Sequence, residues 1–293
     1  MKLTDNVMLL GNGYFNFYVV GQEQAALIEC GTRAGAAIFR DQWMHLENKP
    51  DIKYIVVLHS HFDHVCGVPV LKEMFPQAQL LASKVSRKIL SKERIVSEYF
   101  KNDQVVSEKY FNNGLLDRIP ETPKTENINI DIVVAQGDQL ELDKGLKLEF
   151  LDAPGHSVCS IAAYLENDKV MFVSDAAGGV RPDGEEIAPV FFQDYDLYIA
   201  SLKKLNSYPT EKIAVAHGDI PAGDKVNKFY SQSLQAAEKC FDYIKARLDE
   251  GAEEKLVAAE LFEKYIKGGL AYYPEELMLG SMHLLINNVK AKI

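Results

Sequence analysis

Close cysteine pairs are missing from this sequence of 293 residues. Cys30, Cys66, Cys159 and Cys240 are scattered, with no Cys-x-x-Cys among them. That excludes a disulfide framework and a thiolate zinc site, and it suits free thiols in a reducing compartment. Long apolar runs are missing as well, since no stretch reaches the roughly 18 residues needed to span a bilayer. Met1-Lys2-Leu3-Thr4-Asp5-Asn6 lacks the basic and then apolar segments of a secretory leader, so the expectation is a cytoplasmic protein. Positive charge is in short supply. Against 42 Asp and Glu stand 32 Lys and Arg, giving a net charge of -10 and a pI of about 5.3. Such a balance repels phosphate backbones and anionic lipid, which argues against nucleic acid and membrane surfaces as partners. There is no internal repeat and no low-complexity tract. What is present is 47% apolar content, enough to fill a sizeable core and to exclude a disordered or collagenous chain.

Short apolar runs from Val7 to Ile28, broken by Gly11-Asn12-Gly13 and Gly21-Gln22-Glu23-Gln24, predict strands joined by tight turns. Ala34 to Leu46 reads as a helix, and Tyr54-Ile55-Val56-Val57-Leu58 as a strand covered on both faces. Together they predict an α/β layering. Ser83 to about Asn113 is charged and free of glycine, with Val85, Ile89, Val96 and Tyr99 on roughly one face, which predicts a helical excursion. Pro120 to Asn129 reads as a loop. A second β-rich half follows, with strands at Ile130 to Ala135, Leu140 to Leu142, Leu146 to Phe150, Ile161 to Leu165 and Val170 to Val173. From Val226 the spacing turns helical: Tyr230, Leu234, Ala237, Phe241, Ile244 and Leu248 form one stripe, and Met278, Met282, Leu285 and Val289 another.

The chemistry concentrates in one place. Of seven histidines, three fall within His59-Ser60-His61-Phe62-Asp63-His64, directly after an apolar strand. Imidazole and carboxylate are the donors that Zn²⁺ and Fe²⁺ favour, and His59 and His61 can aim two rings at one ion while Asp63 and His64 point towards a second. Further donors stand in equivalent positions. His156 follows the strand ending at Leu151, Asp175 follows Val170 to Val173, and His217 follows Ile213 to Ala216. Ligands gathered at one edge of a sheet are the usual geometry of an α/β active site. Lone histidines are more often surface or core residues than ligands, which is the reading for His45 and His283. Cys66 and Cys159 read as buried packing residues. Ser60 and Ser157 read as hydrogen-bond partners of the ligands, since no Gly-x-Ser-x-Gly surrounds them.

His59, His61, Asp63 and His64 spell His-x-His-x-Asp-His, and with Pro154-Gly155-His156-Ser157, Ser174-Asp175 and Ala216-His217-Gly218 the first 225 or so residues resemble the metallo-β-lactamase superfamily. The resemblance implies an αββα sandwich, a catalytic domain over residues 1–225 with a helical insertion at about 83–120, and a C-terminal helical cap over 226–293. It implies two divalent ions, zinc or iron with manganese also suited. One would be held by His59, His61 and His156, the other by Asp63, His64 and His217, with Asp175 bridging. Glu29 stands where an Asp is commoner. Some diiron members that reduce oxygen carry Glu at the second motif position, so His61 points to a hydrolytic member. A narrower resemblance, to the quinolone-signal response branch of thioesterases, rests on Pro189-Val190-Phe191-Phe192, on Tyr198 to Leu205 and on Pro274 to Met282 with its Leu279-Gly280-Ser281-Met282.

The expected function is a metallo-hydrolase in which a bridging hydroxide attacks a thioester or activated ester of acyl-coenzyme A type, with Asp63 orienting that hydroxide as a catalytic residue. A thiolate leaves without a proton donor, and no general acid is evident beside the ligands. The alternatives are a lactonase or phosphodiesterase of the same fold, for which Arg181 is the one obvious cation, or a regulatory protein acting through a partner. The apolar stripes of the C-terminal helices suit a lid and also allow a homodimer.

Overall fold

Strands covered on both faces must be apolar at every position, and the continuous runs of the sequence lie in such strands. The structure, a computed structural model, describes residues 1–124, 127–143, 145–180, 187–266 and 273–293. Its first half runs β1 (Val7–Gly11), β2 (Asn16–Val20), β3 (Gln24–Ile28), α1 (Arg33–Met44), β4 (Asp51–Val56), α2 (Phe62–Val65), α3 (Val68–Met74), β5 (Gln79–Ser83), α4 (Lys84–Leu90), α5 (Glu93–Asn112) and β6 (Ile132–Val134). The six strands form one sheet in the order β1-β2-β3-β4-β5-β6, antiparallel up to β3 and parallel beyond it.

The second half runs β7 (Gln139–Glu141), β8 (Lys147–Asp152), β9 (Ile161–Leu165), β10 (Val170–Ser174), β11 (Gly179–Val180), β12 (Ile187–Ala188), α6 (Tyr195–Asn206), β13 (Lys212–Val215), α7 (Asp224–Asp249), α8 (Glu254–Tyr265) and α9 (Glu275–Lys290). Here five strands pair in the order β13-β10-β9-β8-β7, antiparallel except for β10 with β13. The two-residue period of each strand sorts its side chains between layers. Tyr18, Val20, Val56 and Leu58 meet Phe150, Ala163, Leu165 and Phe172 between the sheets. Phe17, Val19, Ile55 and Val57 face the other way, onto α1, α3 and α5, while Leu151, Met171, Val173 and Ile213 carry α6 to α9. The result is the expected four-layer αββα order.

One expectation changes in detail. The excursion after Ser83 is two helices, because α4 ends at Ser91 and α5 starts anew from Lys92. Val85 is consequently exposed, and the buried face of α5 is Val96, Phe100, Asp103, Val106, Ser107 and Tyr110. The C-terminal helices bury Tyr230, Ala237, Ile244, Met282, Leu285 and Val289 in one cluster with the outer face of the second sheet, so they form its covering layer.

α5 is fixed to the start of α1 by a buried ion pair. Arg33 and Asp103 are fully buried side chains. Asp103 accepts from both the Arg33 backbone N–H, at 2.9 Å, and its Nε. Nη1 of Arg33 donates to Pro120 O and Thr122 Oγ1 at 2.8 Å each, and Nη2 to Gln104 Oε1 at 2.7 Å. Removing one partner of such a pair strands the other charge away from water. Asp103→Ala should therefore cost about 3–5 kcal/mol of unfolding free energy in a denaturant titration. A loss below about 1 kcal/mol, the worth of a surface pair, would show that Arg33 is not held as described.

Candidate metal centre

All seven proposed ligand residues lie at one edge of the sandwich, where strands of both sheets end. β4 leads into His59; His61 opens α2, whose first turn holds Asp63 and then His64. The β8–β9 loop presents His156, the end of β10 Asp175, and the end of β13 His217. Two staples close this edge. Asn16 Nδ2 donates to Val215 O and Gly218 O at 3.1 and 2.9 Å, and Tyr18 OH to Val215 O at 2.6 Å, so β2 holds the His217 turn. Ile161 N donates to Leu58 O at 2.9 Å, joining β9 to the strand before His59. The His156 turn depends on Gly155: at φ +127° it faces the backbone of Tyr198, where a Cβ would lie 2.3 Å from Tyr198 N. That closeness lets Gly155 O anchor the chain entering α6 by accepting from Gln193 N and Asp194 N at 3.0 and 3.1 Å, while the Asp194 side chain caps the helix.

Within the edge the donors converge. His59, His61 and His156 form one group, His59, His64 and Asp175 a second, and Asp63, His64 and His217 a third, the nitrogen and oxygen atoms of each lying within 4.8 Å of one another. His156 Nε2 approaches His61 Nδ1 to 3.0 Å, and His217 Nε2 approaches His64 Nε2 to 3.3 Å. Asp175 Oδ2 sits between the groups, 3.4 Å from His64, 3.7 Å from His156 and 3.9 Å from His59, with Oδ1 3.6 Å from His217.

The far side of most rings is held by the fold. His64 Nδ1 donates to Glu29 Oε2 at 2.8 Å, His156 Nδ1 to Val190 O at 3.0 Å, and His217 Nδ1 to Tyr14 O, while His59 Nδ1 meets Ser174 Oγ at 3.1 Å. These contacts direct Nε2 of each ring inward. His59 Nε2 is buried with no hydrogen-bond partner, a cost that a cation would remove. Glu29 and Ser174 take positive φ, +73° and +49°, strain that places their side chains against the rings. This donor set fits divalent ions of the kind that imidazole and carboxylate hold.

The electrostatics divide the rings. Burial and then the neighbouring imidazoles push His59 well below its ordinary range, and burial followed by His156 brings His61 down to about 3. Burial also lowers His156. His64 goes the other way: burial opposes its charge, but Asp63, Asp175 and Glu29 outweigh it and raise it well above the ordinary value. Both aspartates, although buried, are held below the carboxylate range, chiefly by His64 and then His217.

Outside the cluster most residues fall as the sequence reading has them, and two serines do not. His45 is exposed and hydrogen-bonds within α1, and His283 lies on α9; neither joins the cluster. Cys66 and Cys159 are buried. Ser60 and Ser157 do not hold ligand rings. Their hydroxyls meet at Cys159 Sγ, at 3.1 and 3.2 Å, and Ser174 takes the role expected of them. Arg181 lies outside the described residues. Sequence reasoning misses Tyr273, whose hydroxyl donates to Asp63 Oδ2 at 2.7 Å; burial together with that carboxylate raises it well above the ordinary phenol range. No local motif marks it, because 210 residues separate the pair.

Comparison with known proteins bears on the family and the fold. The profile of the metallo-beta-lactamase superfamily matches residues 11–217. A metallo-beta-lactamase fold-containing protein of Sulfurisphaera tokodaii is 24% identical over 257 residues, 87% of this chain and 88% of that protein. A putative diflavin flavoprotein of Nostoc sp. is 24% identical over 223 residues, 70% of this chain, which spans only 33% of the flavoprotein's length. Among solved structures, a metallo-beta-lactamase family protein of Thermus thermophilus has a TM-score of 0.68 at 18% identity, covering 99% of this chain and 95% of its own. No helix among the described residues is long and apolar enough to cross a membrane.

Because the carboxylates around His64 favour its charge, a cation entering the metal-free protein should displace its proton. Divalent-ion affinity should rise with pH, and the heat of binding at neutral pH should vary with the ionisation enthalpy of the buffer. A heat independent of the buffer would contradict this assignment.

Proposed function

From the premise that the chain belongs to the metallo-beta-lactamase superfamily, we propose that it is a metal-dependent hydrolase of thioesters or activated esters, with a substrate of acyl-coenzyme A type. The observation that carries the reading is the meeting of five imidazoles and two carboxylates at one edge, with His59 Nε2 left unpartnered. In this reading His59, His61 and His156 would hold one ion and Asp63, His64 and His217 a second, with Asp175 available to both. Divalent ions there supply a Lewis acid for the substrate carbonyl and hydroxide at neutral pH.

The chain's own residues do the rest. Glu29, Ser174, Val190 and Tyr14 fix the rings, so little reorganisation is left for the reaction. Phe192 packs against His156, Phe15 against His217 and Phe62 against Tyr273, so aromatic rings flank the cluster. Asp63 orients the nucleophile. A thiolate leaving group, with a conjugate acid near pKa ~8.5, departs without protonation, which favours thioesters over amides. Among the described residues the ion pairs of the cluster join only histidine to carboxylate, whereas a phosphodiester would call for Arg or Lys. The blocks from Pro189 to Leu205 and from Pro274 to Met282, which resemble the quinolone-signal response thioesterases, support the same choice. His61, in place of a glutamate, favours hydrolysis over the oxygen chemistry of diiron relatives.

Thiol release from a panel of acyl-coenzyme A and acyl-glutathione thioesters, with protein loaded with iron, manganese or zinc, tests the proposal. Release should require metal and fall by about 10²-fold or more in His61→Ala, the loss of a group that stabilises the transition state. Metal-loaded protein that releases no thiol, yet opens lactones or cleaves phosphodiesters, would overturn it.

A further inference from the structure

Asp63 stands in the first turn of α2, a helix of four residues whose N-cap, His61, makes no side-chain capping bond. So short an element holds its side chains weakly. The carboxylate is aimed from elsewhere. Its Oδ2, 3.4 Å from His64 Nε2 and 3.6 Å from His217 Nε2, is also the atom that accepts the Tyr273 hydroxyl. Among the described residues Tyr273 is the one hydroxyl donor to Asp63.

Tyr273 is itself tied down on three sides. Its ring packs edge-on against Phe62, with centroids 5.8 Å apart, and its carbonyl accepts Lys109 Nζ from α5 at 3.0 Å. Pro274 follows as the N-cap of α9, whose Met278, Met282, Leu285, Ile286 and Val289 are buried on the second sheet's helical layer. Moving the phenol therefore means moving the start of α9. Burial alone does not force such a bond, for the Tyr230 hydroxyl is buried with no partner at all.

Resting on the metal-hydrolase reading above, we propose that Tyr273 is a positioning residue that couples the docking of α9 to the aim of the Asp63 carboxylate, so that the cation position of Asp63, His64 and His217 is complete only when the C-terminal segment is seated. A carboxylate oxygen has two lone pairs, so the phenol and a cation share Oδ2 rather than compete for it. Coupling of this kind is reciprocal. Cation binding must tighten α9 by as much as α9 tightens the cation.

The test uses the full chain, the Tyr273→Phe variant, which keeps the ring and loses only the hydroxyl, and cobalt(II) as the probe. Calorimetry and the visible spectrum of bound cobalt count the sites, and hydrogen exchange of peptides from Glu275–Lys290 reads the docking. In the native protein cobalt should slow exchange across α9. In Tyr273→Phe one cobalt site should lose about 10-fold in affinity, the other should change by less than about twofold, and the slowing should disappear, at unchanged circular dichroism. Identical affinities and exchange in both proteins would overturn the coupling while leaving the metal reading intact. Equal weakening of both sites would mark general loosening and overturn it too. Failure of the native protein to bind cobalt would remove the metal reading itself, and this inference with it.

Discussion

Keeping two aspartates and a glutamate among five imidazoles out of water is the constraint on which this molecule turns. The groups lean on one another: the carboxylates around His64 raise it well above its ordinary value, and His64 in turn is the main influence holding Asp63 and Asp175 below the carboxylate range. No one strand could present such a set. The sequence solves the problem by ending β4, β8, β10 and β13 at a common edge, then stapling that edge with Asn16, Tyr18 and the bond from Ile161 to Leu58. Strain at Glu29 and Ser174 is tolerated there because neighbours on every side fix the backbone.

How far all this can be read from sequence follows from distance along the chain. His59 to His64 is a local signal, and the other donors each follow an apolar run, so convergence at a strand edge was legible. The strands were legible because burial on both faces leaves runs such as Tyr54 to Leu58. What escaped was set by long-range packing. Nothing near Tyr273 announces Asp63, and the carbonyls of Val190 and Tyr14 that orient His156 and His217 are backbone atoms, which carry no residue-type signal. The break between α4 and α5 at Ser91 and Lys92 escaped for a related reason. Periodicity alone does not register a change of helix axis.

The two helical segments that looked like additions turn out to be tied into the sandwich by different means. α5 adds a polar anchor, Arg33 reaching Asp103, Gln104, Pro120 and Thr122, to the apolar burial of Val96, Phe100, Val106 and Tyr110. α7 to α9 are held by apolar burial against the second sheet. Lys109 and Tyr273 join the segments to each other directly beside the cluster, so the same few side chains that close the edge also link the outer layers.

The spread of the donors along the chain has a thermodynamic consequence. Histidines from 59 to 217 share one volume only once both sheets have formed, so a partly folded chain offers a cation at best the His59 to His64 fragment of the site. A divalent ion is then a ligand of the native state alone, and its free concentration adds RT ln(1 + [L]/Kd) to stability, about 2.7 kcal/mol at one hundred times Kd. Divalent-ion supply would thus govern how long the protein survives proteolysis.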